Sequence, residues 1–134
     1  MSVGVEALDA EHRHLFYQVN TLLRRLDETP GADAAALHEL IDDIMNYNFY
    51  HIKNEEQYMH EFSCVDAEHL AAHKWYMERT TTLFSAASNA LRSASATAGD
   101  ACKQFAMFAG SWHVRHIVQN DKKYTSCFNE HGLC

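Results

Sequence analysis

The chain has 134 residues, 47% of them apolar and 22% charged, a size and balance that exclude both a large multi-domain machine and an intrinsically disordered chain. Eleven Lys and Arg against eighteen Asp and Glu leave a formal charge of -7, which repels nucleic-acid phosphates and anionic lipid surfaces, so neither is expected as a partner. One proline and five glycines leave little punctuation for many short strands, and the composition predicts an all-α protein in which ten histidines are the unusual feature.

Helix A is predicted over about residues 9–28, because Leu8, His12, Leu15, Phe16, Val19, Leu22, Leu23 and Leu26 recur at three- and four-residue steps. Thr29-Pro30-Gly31 breaks the pattern and Asp33 can cap helix B, predicted over about 34–61 with Leu37, Leu40, Ile41, Ile44, Asn48, His51, Ile52, Glu55 and Met59 in phase. Asp66 is the corresponding cap for helix C, about 67–96, whose stripe includes His69, His73, Tyr76, Met77, Leu83 and Leu91. Gly99-Asp100 supplies a stop and a cap before helix D, about 101–125, with Phe105, Phe108, Ala109, Trp112, His116 and Ile117 on one face. Short connections force neighbours antiparallel, so one domain over residues 1–134 is expected to form an up-down-up-down four-helix bundle, with the tail from Ser126 a short extension.

No apolar run approaches the ~18 residues of a membrane span, and Glu6, Asp9 and Glu11 stand where a signal peptide would be basic and then apolar. A cytoplasmic protein with no membrane partner is expected. Cys64, Cys102, Cys127 and Cys134 form no C-x-x-C motif and read as free thiols, with Cys127 and Cys134 able to link subunits on oxidation.

His12, His51, Glu55, His69, His73 and His116 occupy core positions of the four stripes. Burying imidazoles and a carboxylate without compensation costs kilocalories for each, comparable with a whole domain's ~5–15 kcal/mol of stability. Neutral imidazoles and carboxylates are Lewis bases, so bound divalent cations would satisfy them together. One His-x-x-x-Glu pair arises readily by chance; His51-x-x-x-Glu55 and His69-x-x-x-His73, facing inward from neighbouring helices, are more informative. Ligand type alone leaves iron, zinc, copper and nickel open, and no His-Glu-x-x-His motif suggests a zinc protease.

The ordered series His12, His51-x-x-x-Glu55, His69-x-x-x-His73 and His116-x-x-x-x-Asp121 resembles the ligand signature of the hemerythrin family. Val3-Gly4-Val5, Leu8-Asp9-Ala10-Glu11-His12, Glu55-Glu56 and the Trp112 to His116 spacing are similar to bacterial members, so the likeness covers nearly the whole chain. The resemblance implies two iron ions with an oxo or hydroxo bridge, His69, His73 and His116 holding one, His12 and His51 the other, and Glu55 and Asp121 bridging both. It further implies reversible binding of O2 or another small diatomic ligand at an open position. Ferritin-like oxidases instead use more carboxylates and two Glu-x-x-His motifs, of which Glu11-x-x-His14 is the one present, with His14 turned off the stripe.

His113 departs from the resemblance, because the matching hemerythrin position is usually leucine. Three residues before His116, it shares the inward face and could hydrogen-bond a bound ligand, deliver protons or coordinate the open metal. A turn toward the helix flank is the alternative. An O2-, redox- or NO-sensing domain acting through an unidentified protein partner, or a diiron peroxidase or oxidase involving His113, are the other functions expected of such a site.

Overall fold

The computed structural model describes residue 2 and residues 4–28, 33–119 and 121–134, apart from the side chains of Glu28, Asp121 and Lys122. Val3, which contributes to the resemblance, and the predicted break at Thr29-Pro30-Gly31 lie outside the described residues. Four long helices, α1 (Glu6–Glu28), α2 (Ala34–Glu61), α3 (Ala67–Arg92) and α4 (Ala98–Gln119), each pack chiefly against two neighbours, with a smaller contact between α2 and α4. With short connections between consecutive helices, this is the four-helix bundle that the stripes imply. A 3-10 turn, Asp121–Tyr124, and a short helix α5, Thr125–Glu130, follow.

The helix boundaries have local causes. α1 begins at Glu6, earlier than about residue 9, because Val5 is already inside the core and its carbonyl accepts the Asp9 N–H at 2.9 Å. Asp33 and Asp66 cap α2 and α3 by accepting from the N–H groups of Ala35 and Glu68. α2 ends where Ser63 adopts a φ of 54° and the Cys64 N–H returns to the Met59 carbonyl. α3 ends in the same way at Ala94, with a φ of 51° and the Ser95 N–H bonded to Ala90, four residues short of the expected limit near 96. α4 then starts at Ala98, so Gly99 and Asp100 belong to its first turn, and it stops at Gln119 instead of near 125.

Two apolar clusters fill the bundle. The larger is built from residues such as Leu15, Leu22, Ile41, Ile44, Tyr76, Phe105 and Trp112; the smaller joins Val5, Leu8, Met59, Ile117, Tyr124 and Phe128. Phe128 is wholly buried, so the tail is part of the core and the expectation of a mere extension is corrected. Gly4, with a φ of 73°, makes this closure possible: a Cβ there would lie 2.6 Å from Thr125 Cγ2. Among the described residues no helix is long and apolar enough to cross a membrane.

The expectation of free thiols fails at two of the cysteines. Cys64 and Cys127, 63 positions apart, are joined in a disulfide, while Cys102 is buried and free and Cys134 is exposed and free. Spacing gave no indication of the pair, because only the folding of α5 against the α2–α3 turn brings their Cα atoms to 6.0 Å.

A non-glycine residue in the left-handed region is disfavoured by its Cβ, and Ala94 sits there as the αL cap of α3. Ala94→Gly is expected to raise stability by about 0.5–1 kcal/mol with unchanged helicity, measured by chemical denaturation followed by circular dichroism.

Candidate metal centre

The layer between the two apolar clusters is polar and almost completely shielded. His12, His51, Glu55, His69, His73 and His116 are all at most 5% exposed. α1 contributes His12, α2 His51 and Glu55, α3 His69 and His73, and α4 His116, so every long helix supplies at least one donor. The i,i+4 pairs of α2 and α3 stack on one face because four residues make slightly more than a helical turn.

The donors form two groups that could each hold a metal ion. Glu55, His69, His73 and His116 make one; His12, His51 and Glu55 make the other. Glu55 belongs to both through different oxygens. Its Oε1 lies 2.9 Å from His69 Nε2 and 3.2 Å from His73 Nε2, whereas its Oε2 lies 3.4 Å from His51 Nε2 and 4.0 Å from His12 Nε2.

Within the first group the Nε2 atoms of His69, His73 and His116 form a triangle with sides of 3.1, 3.0 and 3.0 Å. Hydrogen bonds cannot satisfy this triangle. Each bond needs one N–H and one lone pair, and around a ring of three nitrogens at least one side must pair like with like. A cation at which the lone pairs converge removes the conflict, so the donor set fits a metal.

Two carboxylates outside the groups set the required tautomers. His51 Nδ1–H donates to Glu11 Oε1 at 2.9 Å, and His73 Nδ1–H donates to Glu56 Oε2 at 3.2 Å, which leaves their Nε2 lone pairs for the centre. Asn54 in turn donates to the other Glu11 oxygen. Neither Glu11 nor Glu56 emerges from the sequence as a site residue. Each is next in sequence to a donor and therefore about 100° away from it on its own helix, and its role depends on the neighbouring helix it faces. Trp112 orients His116 by stacking on it, with ring centroids 4.1 Å apart and planes at 16°, and stacks at 4.0 Å on Tyr76. The Tyr76 hydroxyl donates to Asn48 at 2.8 Å, completing a rigid support that runs from α2 to α4.

The remaining histidines divide as follows. His14, His60 and His131 are exposed; His38 is partly buried, with Nε2 3.2 Å from the Ser88 carbonyl of α3. His113 is completely buried and is not a member of either donor group. Its Nδ1–H donates to the Ala109 carbonyl at 2.9 Å, and its ring lies 5.8 Å from that of His51 and 6.5 Å from that of His12. It therefore stands beside the group with fewer histidines. Asp121 opens the 3-10 turn instead of lying near the end of a long fourth helix, and its side chain lies outside the described residues.

Burial opposes charge on His73, but the hydrogen bonds it donates to the Glu55 and Glu56 carboxylates, with the nearby charge of Glu55, outweigh it and hold the metal-free imidazole's pKa above the ordinary value. A metal must displace that proton, so apparent affinity is expected to fall as the solution is moved from mildly alkaline to mildly acidic, measured by competition with a chelator. Glu11→Ala is expected to weaken divalent-metal binding about tenfold while leaving helicity intact; Glu55→Ala, which removes the donor shared by both groups, costs more in the same titration.

A family model, the hemerythrin HHE cation-binding domain, matches residues 3–127. Comparison with curated proteins and with solved structures finds no match. The matched span runs from ahead of α1 into α5 and takes in every donor of the buried layer. On that span and that layer, the chain belongs to the hemerythrin family.

Proposed function

We propose that the chain is a non-haem diiron protein that binds O2 reversibly, in oxygen carriage, storage or delivery. The observation that carries the reading is Glu55, whose two oxygens face two separate histidine groups as a carboxylate bridging a pair of ions would. The nitrogen triangle is closer to an octahedral face than to a tetrahedral one, which disfavours tetrahedral zinc; iron itself is proposed from the family resemblance. For a metal–nitrogen bond of ~2.1 Å, two ligands are about 3.0 Å apart along an octahedral edge and about 3.4 Å apart in a tetrahedron, and the sides here are 3.0–3.1 Å. Two iron ions with an oxo or hydroxo bridge would supply the electrons that O2 takes up and returns. Asp121 is the proposed second bridging carboxylate, by its place in the family motif.

The residues around the centre have separable tasks. His69, His73 and His116 would hold one ion, and His12 and His51 the other, which with fewer protein nitrogens would be the one to take a small ligand. Glu11 and Glu56 keep the Nδ1 protons of His51 and His73 on the outer side. The apolar clusters above and below exclude the bulk water that would otherwise solvate and strip the ions.

His113 favours one second reading, a diiron peroxidase or oxidase, because it places a buried imidazole beside the group with fewer histidines. With Nδ1–H committed to Ala109, a neutral His113 presents a lone pair at Nε2, and so would accept a proton from a ligand instead of donating one. A sensor working through a protein partner remains the other functional proposal. We also propose a cytoplasmic location, where the Cys64–Cys127 disulfide would be reducible.

The test is anaerobic ferrous protein, assayed for metal per chain, exposed to air and then purged with argon. Two irons and a visible charge-transfer band that appears in air and disappears under argon are expected; no band, or one that never reverses, overturns the carrier reading. His113→Leu is expected to change the autoxidation rate about tenfold or more, and an unchanged rate removes His113 from the ligand pocket.

A further inference from the structure

We propose that Cys64 and Cys127 are a redox-active pair that exchanges with a dithiol reductant, and that reduction loosens the metal centre beside it. The first half stands on the thiols alone; the second rests on the metal-centre reading.

The pair joins two segments that border the centre. Cys64 is in the α2–α3 turn, five positions before His69, and Cys127 is in α5, six positions after Asp121. Both line a cavity of about 240 Å³ that also reaches Lys123, Tyr124 and the donor His69. The Tyr124 ring lies 5.4 Å from the His69 ring and 4.3 Å from that of Phe128. The disulfide therefore ties down the end cap that carries Asp121 and covers His69.

The surroundings suit thiol exchange better than a permanent staple. Cys64 is 8% exposed, whereas Cys127 is only half-buried and opens on a cavity that a small dithiol can enter. The cationic Lys123 at this cavity favours an approaching thiolate. Acceptors for the reduced pair are already in place: the Phe62 carbonyl is 3.3 Å from Cys64 Sγ and the Ser63 carbonyl 4.0 Å from Cys127 Sγ. The two sulfurs and His131 also approach one another as metal ligands would. Yet His131 Nδ1–H donates to the Cys127 carbonyl at 2.8 Å, so that nitrogen, 4.0 Å from the sulfur, has no lone pair for a metal.

In the exchange, one thiolate of the reductant attacks Cys127 Sγ and the bond to Cys64 breaks. Cys64 leaves with the electron pair and takes a proton. The reductant's second thiolate then attacks the reductant sulfur of the mixed disulfide, closing the reductant's own disulfide and releasing Cys127, which takes the second proton. Two electrons and two protons pass from the dithiol to the protein. The four long helices keep their own packing, and the Phe62 and Phe128 rings, 6.2 Å apart, keep α5 nearby, so the end cap loosens without loss of the bundle.

The test uses the full chain, oxidised or treated with dithiothreitol. Intact mass after alkylation under denaturing conditions is expected to show two adducts on the oxidised chain and four on the reduced one, from the four cysteines present. Amide exchange of residues 121–130 in the metal-free protein is expected to quicken on reduction. Iron release to a ferrous chelator is expected to be about tenfold faster from the reduced form, and Cys64→Ser with Cys127→Ser should release at that faster rate whether or not dithiol is added. Four adducts without reductant overturn the pair itself. Equal exchange, or equal release rates from the two forms, overturns its coupling to the centre. A chain that binds no iron in either form refutes the metal-centre reading and with it the coupling, while the adduct count still decides the thiol pair.

Discussion

The structure depends on one constraint: a carboxylate and five imidazoles must share a dry layer in the middle of a helical bundle. Glu55 is wholly buried and faces a histidine group with each oxygen. Left to themselves these groups are frustrated, because the Nε2 triangle of α3 and α4 cannot be completed by hydrogen bonds. The cost of desolvating such a layer is of the order of the whole stability of a domain. The apolar clusters on either side supply the burial free energy that folds the chain around it, and their division into two follows from the polar layer between them.

Rigidity comes from the surroundings of the donors more than from the donors. Glu11 and Glu56 select tautomers, Trp112 and Tyr76 hold the plane of His116, and Asn48 anchors Tyr76. Apart from the stacking of Trp112 on His116 within α4, each of these contacts joins different helices, so the orientation of the donors is coupled to the packing of the whole bundle. A similar logic closes the lower end, where Gly4, Thr125 and Phe128 bring the two ends of the chain together over the smaller apolar cluster. The Cys64–Cys127 link ties that closure to the α2–α3 turn, which leads directly into His69.

Most of the bundle and its inward donors were legible because a helix repeats every 3.6 residues. His51 with Glu55 and His69 with His73 fall in phase with Ile44, Ile52, Tyr76 and Leu91, and the structure buries all of them. Asp33 and Asp66 were legible for an equally local reason, since a capping carboxylate bonds an amide two residues away. The stops were read less well. Ser63 and Ala94 adopt a left-handed conformation that neither residue type favours, so nothing in composition marked α3 as ending at Arg92.

By itself, then, the order of residues determined which side chains share a helix face and therefore which donors point inward, because those relations are settled within a turn or two of backbone. Only the tertiary structure decided which groups meet across helices. Glu11 reaches His51 across 40 positions, Cys64 reaches Cys127 across 63, and His113 turns its Nδ1–H onto Ala109 while its ring settles beside His51. Contacts of that kind depend on how whole helices rotate and close on one another, and periodicity along a single helix carries no record of them.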